Sequence, residues 1–261
     1  MRTFISDPED QRLADYRHLA DPARRVDRES GSAFFIVEGW EAVLRLLGTD
    51  WDIRSVLLAE DKAHRLTVPP AVTTYLAPRA VLEATVGFQI HRGAVAAVNR
   101  RPFASLDKIV MSARTVAVLE GLNDHENLGA IFRSAAALGI DGIVLDPTCA
   151  DPFYRRSVRV SMGTVLTVPV ARADDLGRAL GDLEGAGFTL LAFTPDPGAI
   201  SIDDIAFVEK AAIVLGSEAN GLTKEVRGRA AIELRIPQRL EIDSLNVGHT
   251  AAIAFYRLGH V

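Results

Sequence analysis

The chain has 261 residues, 48% hydrophobic and 24% charged, enough to bury one large core or two smaller ones. Its net charge of −5 excludes a protein that coats nucleic acid through a global positive field, so any RNA contact has to come from local patches. The one cysteine, Cys149, excludes an intrachain disulfide and a cysteine-based metal site, and reads as a small buried hydrophobe more readily than as a reactive nucleophile.

In chain order, the polar opening MRTFISDPEDQRLADYRHLADPARR has no apolar core of a signal peptide. No later run approaches the ~20 apolar residues that span a membrane. A cytoplasmic protein without membrane contact is expected. GSAFFIVEGWEAVLRLLGTD then predicts a short strand and a helix carrying Val43, Leu44, Leu46 and Leu47. IRSVLLAED reads as a strand, VPPAVTTYLAPRAVLEATVG as a proline-punctuated helical region, and GAVAAVN as a closing strand. NRRPFASLDKIVMSART is polar, holds Pro102 and lies between two apolar patterns, so it reads as a linker. The expected division is a leader and small α/β domain over 1–107 and a second domain over 108–261.

The second half alternates more cleanly. Strands are predicted over 115–121, 142–146, 165–170, 188–194, 211–216 and 231–237, with helices over 127–138, 154–161, 174–185, 223–229 and 245–258. The strand segments are nearly continuous apolar runs, as in a parallel sheet covered on both faces. An α/β fold follows. Three basic clusters punctuate the chain: Arg24, Arg25 and Arg28; His91 and Arg92 with Arg100 and Arg101; and Arg155, Arg156 and Arg159. Each reads equally as a solvated face or as an RNA-facing patch.

No dinucleotide fingerprint, Walker A loop or nucleophile elbow is present. The first strand of the second half leads instead into Asn127-x-Gly129-x-x-x-Arg133. Asn127 sits at a helix mouth, where a side-chain oxygen can cap free amides. Arg133 emerges among Leu128, Ile131, Phe132, Ala135 and Leu138, an apolar face on which a guanidinium needs either a structural ion pair or a functional anion. LGSEANGL (215–222) follows another strand, with Gly216 and Gly221 framing Glu218. IPQRLEIDSLNVGHTAAIAFYRL (236–258) ends a strand at Pro237 and opens an Ala-rich helix near Ser244, which reads as its cap. Singly, each motif also suits a cap or a surface loop.

In this order they resemble the SpoU (TrmH-type) branch of the SPOUT methyltransferases. That branch carries N-x-G-x-x-x-R, then G-S/N-E-x-x-G-L, then I-P-x(n)-S-L-N-V before a helix of small residues. Here these are Asn127–Arg133, Gly216–Leu222 and Ile236–Val247, and SVRVSMGTVLTVPV looks like the family's S-x-G-A segment. The likeness covers roughly 113–259, and 30–100 look like the RNA-binding domain that often precedes it. Gly248 departs from the pattern, since many relatives have serine after S-L-N-V.

The resemblance implies a trefoil-knotted methyltransferase domain that binds S-adenosyl-L-methionine through loop ends at Thr194, Gly216, Ile236 and Leu245. It implies a homodimer, without a metal, acting on a ribose 2′-hydroxyl of structured RNA. It places Arg133 where it would accept or stabilise the hydroxyl proton, or equally hold the flanking phosphate and orient the hydroxyl; Asn127 shares the catalytic site, and Glu218 and Asn246 would fix Arg133 and the RNA. Arginine is nearly always protonated, so a base role needs an added cause, and both roles stay open. The separate N-terminal domain favours ribosomal RNA over tRNA. A tRNA enzyme, a resistance enzyme acting on ribosomal RNA and a non-catalytic assembly factor of the same fold are the alternatives. For the dimer, the small face Ala251, Ala252 and Ala254 with Phe255 on the last helix suits a close subunit contact.

Overall fold

The computed structural model describes residues 2–17, 19, 33–90, 93–239 and 244–259. Arg24, Arg25 and Arg28, and His91 with Arg92, lie outside the described residues. The chain divides into two compact units, Met1–Arg101 with Asp151–Thr167, and Pro102–Ala150 with Val168–Val261.

The first unit is built on a five-stranded sheet. Its strands are β1 (Arg2–Phe4), β2 (Phe34–Glu38), β3 (Ile53–Ala59), β4 (Thr74–Ala77) and β5 (Ala94–Asn99), in the order β1-β4-β3-β5-β2. Helices α1 (Trp40–Leu47) and α2 (Arg79–Val86) complete it. The region expected to be helical around residues 68–87 splits into β4 and α2. Thr74 and Tyr75 suit a pleated strand, and Pro78 then enters the cap position of α2 in extended geometry, where its missing N–H costs nothing. The polar leader also contributes. Leu13 and Tyr16 are buried in a 3₁₀ turn, with Tyr16 Oη and Ser55 Oγ 2.7 Å apart.

Residues 151–167 belong to this unit. Phe153 closes an aromatic cluster with Phe35 and Trp51 at centroid separations of 5.1–5.3 Å. Trp51 Nε1 donates to the Leu166 carbonyl at 3.0 Å, and Arg155 bonds Glu38 at 2.5 Å, both side chains about nine-tenths covered. Gly163, with φ 78°, presses its backbone against Ala42, where a Cβ would come within 2.9 Å of the Ala42 Cα. This turn overrides the strand expected over 165–170. Thr164–Leu166 is a 3₁₀ turn, so the apolar run there reports burial rather than pleating.

The second unit holds a wholly parallel seven-stranded sheet. Its strands are β6 (Thr115–Glu120), β7 (Gly142–Leu145), β8 (Val170–Arg172), β9 (Thr189–Phe193), β10 (Ile200–Ser201), β11 (Ala211–Gly216) and β12 (Ile232–Arg235), in the order β10-β12-β9-β11-β6-β7-β8. Helices α3 (Leu106–Val110), α4 (His125–Ala137), α6 (Leu176–Gly185), α7 (Lys224–Arg229) and α8 (Val247–Leu258) flank it, α5 being the Arg155–Val160 helix of the first unit. β6 is buried throughout, as its unbroken apolar sequence requires. Around the expected linker, α3 is capped by Ser105 and buries Ile109 in the core, with Ala113 beside it. Its polar letters are the cap and outer face of a short helix, so the segment is part of the fold. Cys149 is buried as expected. Loss of solvent pushes its thiol up to about 12, so it stays protonated at neutral pH.

Candidate functional site

Three loop ends of the second unit carry the polar residues singled out in the sequence. After β6 the chain turns at Gly121 (φ 68°), and Asp124 caps α4 by accepting from the Glu126 and Asn127 amides at 2.8 Å. Asp124, rather than Asn127, is therefore the cap, which leaves the Asn127 carboxamide free for other work. After β11 the loop doubles back over Gly216. A Cβ at that position would lie 2.3–2.5 Å from backbone atoms of Gly221 and Leu222, so only glycine fits. Before α8, Asn246 is the cap, its Oδ1 accepting from the Gly248 and His249 amides at 2.9 and 3.3 Å. Ser244 takes no part in that cap.

These ends bring three side chains together. Asn127 Nδ2 donates to Glu218 Oε2 at 3.0 Å, and Asn246 Nδ2 donates to Glu218 Oε1 at 2.5 Å and to Asn127 Oδ1 at 2.8 Å. Because Asn246 Oδ1 is committed to the helix amides, its nitrogen must face Glu218, so the network orients both carboxamides. Gly248 suits the tight cap. An added Cβ would meet Asn246 Oδ1 at 3.1 Å and the Ala130 side chain at 3.4 Å.

Arg133 stands apart. Six residues along α4 from Asn127, it is displaced by ~9 Å along the axis and ~120° around it. Its side chain is exposed and, among the described residues, makes no ion pair or hydrogen bond. The buried structural ion pair is thereby excluded, and the cluster forms without Arg133.

Beside the cluster lies a cavity of about 370 Å³, in the size range of small-molecule sites. Thr194, Gly216, Ile236 and Leu245 all line it, with apolar walls from Leu215, Leu222 and Val247. Two features of it were not legible in the sequence. Arg227, also in the lining, is locked by Glu233 at 2.7 and 2.8 Å and by Asp196 at 3.2 Å. These bonds, Glu233's first, raise the Arg227 pKa, and the guanidinium holds Glu233 below its ordinary value. Asp196 is lowered by the Gly198 amide and then by Arg227. The second feature is Gln238, whose Oε1 is buried in the lining with no donor among the described residues.

The framework is held from below by Glu120, 9% exposed at the end of β6. Its carboxylate accepts from the Thr223 amide at 2.9 Å and the Thr223 hydroxyl at 2.8 Å, while its backbone is in register with Gly216. Both ends of the loop carrying Glu218 are thus tied to one residue. Among the described residues, no group of three or more His, Cys, Asp or Glu could hold a metal ion, and no helix is long and apolar enough to cross a membrane.

A parallel α/β sheet whose loop ends converge on one polar cluster and one cavity is a fold shared with RNA methyltransferases of known structure. The AdoMet-bound rRNA methyltransferase from Sinorhizobium meliloti superposes with a TM-score of 0.80 at 24% identity, covering 98% of this chain and 97% of that one. AviRb from Streptomyces viridochromogenes, a SpoU methyltransferase in complex with AdoMet, superposes with a TM-score of 0.76 at 21% identity, covering 95% and 97%. In sequence, an uncharacterized tRNA/rRNA methyltransferase of Mycobacterium tuberculosis is 43% identical over 265 residues, 98% of this chain and 92% of that protein. A model of the SpoU rRNA methylase family matches residues 114–256. The chain belongs to the SpoU rRNA methylase family.

Proposed function

We propose that this RNA methyltransferase transfers the methyl group of S-adenosylmethionine to a ribose 2′-hydroxyl of structured RNA in the cytoplasm, ribosomal RNA in preference to tRNA. The observation that carries the reading is the convergence of Asn127, Glu218 and Asn246, from three separate motifs, into one hydrogen-bonded cluster at the cavity. The cavity suits the cofactor. Apolar walls fit a nucleoside base, and the buried Gln238 Oε1 has no donor among the described residues. Thr194, Gly216, Ile236 and Leu245 would hold the cofactor there. Passage of the C-terminal segment through a loop, as a trefoil knot, accords with the position of α8, which packs on α4 and β11 and ends with Gly259 against the Leu138 carbonyl.

When bound, the cofactor would supply an electrophilic sulfonium methyl group to the hydroxyl oxygen, whose proton would pass to water. The chain's task is positioning. Glu218 accepts from both carboxamides and fixes them, while Arg133, exposed and without a partner among the described residues, is free to grip a phosphate or orient the hydroxyl through its planar fork. Its distance from the cluster agrees with a homodimer in which each site is completed by the partner. Ala251, Ala254 and Phe255 are buried within their own unit, so the small-residue face expected to form the contact is already used. The side of α8 that remains outward presents Ile253 and Tyr256, the latter 80% exposed. That side would face the partner.

Calorimetry tests the cofactor. S-adenosylmethionine or its demethylated product should bind one site per subunit with micromolar affinity, roughly −8 kcal/mol. Well-folded protein that bound neither would refute the reading. Ribose-methylation maps of total RNA, with and without the gene, should show one lost position in ribosomal RNA. A lost position in tRNA would redirect the substrate.

A further inference from the structure

Gln238 carries a polar group that the described residues leave unanswered. It lies just beyond β12, in Ile236-Pro237-Gln238-Arg239, where Pro237 and Arg239 are exposed while Ile236 and Gln238 both line the cavity. That is the alternation of extended chain, which sets side chains two apart on one side. Gln238 Oε1 is buried, and no described residue donates to it. A buried carboxamide oxygen without a donor is costly, and its occurrence in a native fold calls for a partner. The cavity's apolar walls, Leu215, Leu222 and Val247, carry no side-chain donor, and its polar lining residues, Thr194, Ser217, Asn220, Arg227, Ser244 and Thr250, make no hydrogen bond to this oxygen. A ligand in the cavity can supply the donor.

We infer that Gln238 reads the base of the cofactor, its Oε1 accepting a hydrogen bond from the exocyclic amine of adenine. The inference rests on the cavity being the cofactor site. The carboxamide presents an acceptor beside a donor, and adenine presents an amine beside a ring nitrogen, so the two edges are complementary. A ribose hydroxyl would use the oxygen alone and leave the amide nitrogen unmatched. The apolar walls likewise suit the flat faces of a base better than a sugar. Ile236 would then cover a face of the ring while Gln238, on the same side of the chain, meets its edge. On this assignment Gln238 is a specificity residue. A purine without the amine fits the same space and leaves the buried oxygen unpaired.

The test is calorimetry on the full chain and on Gln238→Met, with two ligands: S-adenosylhomocysteine and its analogue bearing unsubstituted purine in place of adenine. Wild-type protein should bind the adenine compound roughly 10-fold more tightly than the analogue, the effect of one unpaired buried group. Gln238→Met should bind both equally, near the wild-type affinity for the analogue, with a melting temperature no lower than that of wild type. A variant that lost affinity for both ligands alike would overturn the assignment to the amine, as would a variant indistinguishable from wild type. Wild-type protein that bound neither ligand would overturn the placement of the cofactor itself, and this inference with it.

Discussion

Arg133 and Gly216 are opposite cases, one exposed on its helix and the other pressed against backbone. Arg133 is exposed and has no partner among the described residues, so its removal should leave the fold alone. Arg133→Ala is expected to change stability by no more than about 0.5 kcal/mol, as for other surface sites. Cofactor affinity should stay within error, while single-turnover methylation falls by roughly 100-fold or more, the cost of a misplaced substrate. Arg133→Lys should recover little, because an ammonium lacks the planar fork. Full activity in Arg133→Ala would remove the residue from the reaction. Gly216 acts by absence, since backbone occupies the space of its Cβ. Gly216→Ala should push the Glu218 loop outward, costing about 1–3 kcal/mol as over-packed sites do. Cofactor affinity should drop with it, and denaturant titration beside calorimetry would check both. The sequence displayed Asn127, Glu218 and Asn246 in recognisable spacings. It hid Glu120, Arg227 and Gln238, because a carboxylate after a strand or a glutamine after a proline acquires meaning only from what folds against it.

At the level of elements, legibility followed length and environment. β6 and β11 are continuous apolar runs and were predicted nearly to the residue, because a parallel strand covered on both faces leaves no polar alternation. β1 and β10, with three residues and two, are too short to carry any period. The run VLTVPV misled because burial in a 3₁₀ turn makes the same demand on side chains as burial in a sheet. β12 and the segments beside it also carry charge with a measurable consequence. Arg227 holds Glu233, and with the Gly198 amide also Asp196, below their ordinary values, so the unfolded chain binds more protons at these two sites in acid. Their contribution is complete above the ordinary carboxylate range, ~4 to 4.5, and is lost as pH falls through the depressed folded values. Melting temperature should therefore decline on the acid side of that range. Arg227→Met should flatten this limb, and an unchanged acid slope would detach the cluster from stability.

At the scale of the whole molecule, the chain leaves its first unit at Arg101 and returns to it for Asp151–Thr167 before leaving again. A protein ended at residue 107 would lack Phe153 and Leu166, the ring partner and carbonyl acceptor of Trp51, and the arginines that answer Glu38. Losing a packed aromatic alone costs about 3–5 kcal/mol, a large share of a small domain's stability. A 1–107 fragment should melt without cooperativity, whereas the same fragment joined through a flexible linker to residues 151–167 should regain a sigmoidal transition. Cooperative melting of the short fragment would refute this dependence. The same discontinuity sets a timetable for synthesis. A ribosome adds ~5–20 residues per second, so several seconds pass between the emergence of residue 101 and that of residue 167. Through that interval Phe35 and Trp51 lack their aromatic lid and Glu38 its arginines. The nascent chain must spend it as an incomplete globule, open to chaperones and to mispairing, until the middle of the methyltransferase sequence arrives to seal it.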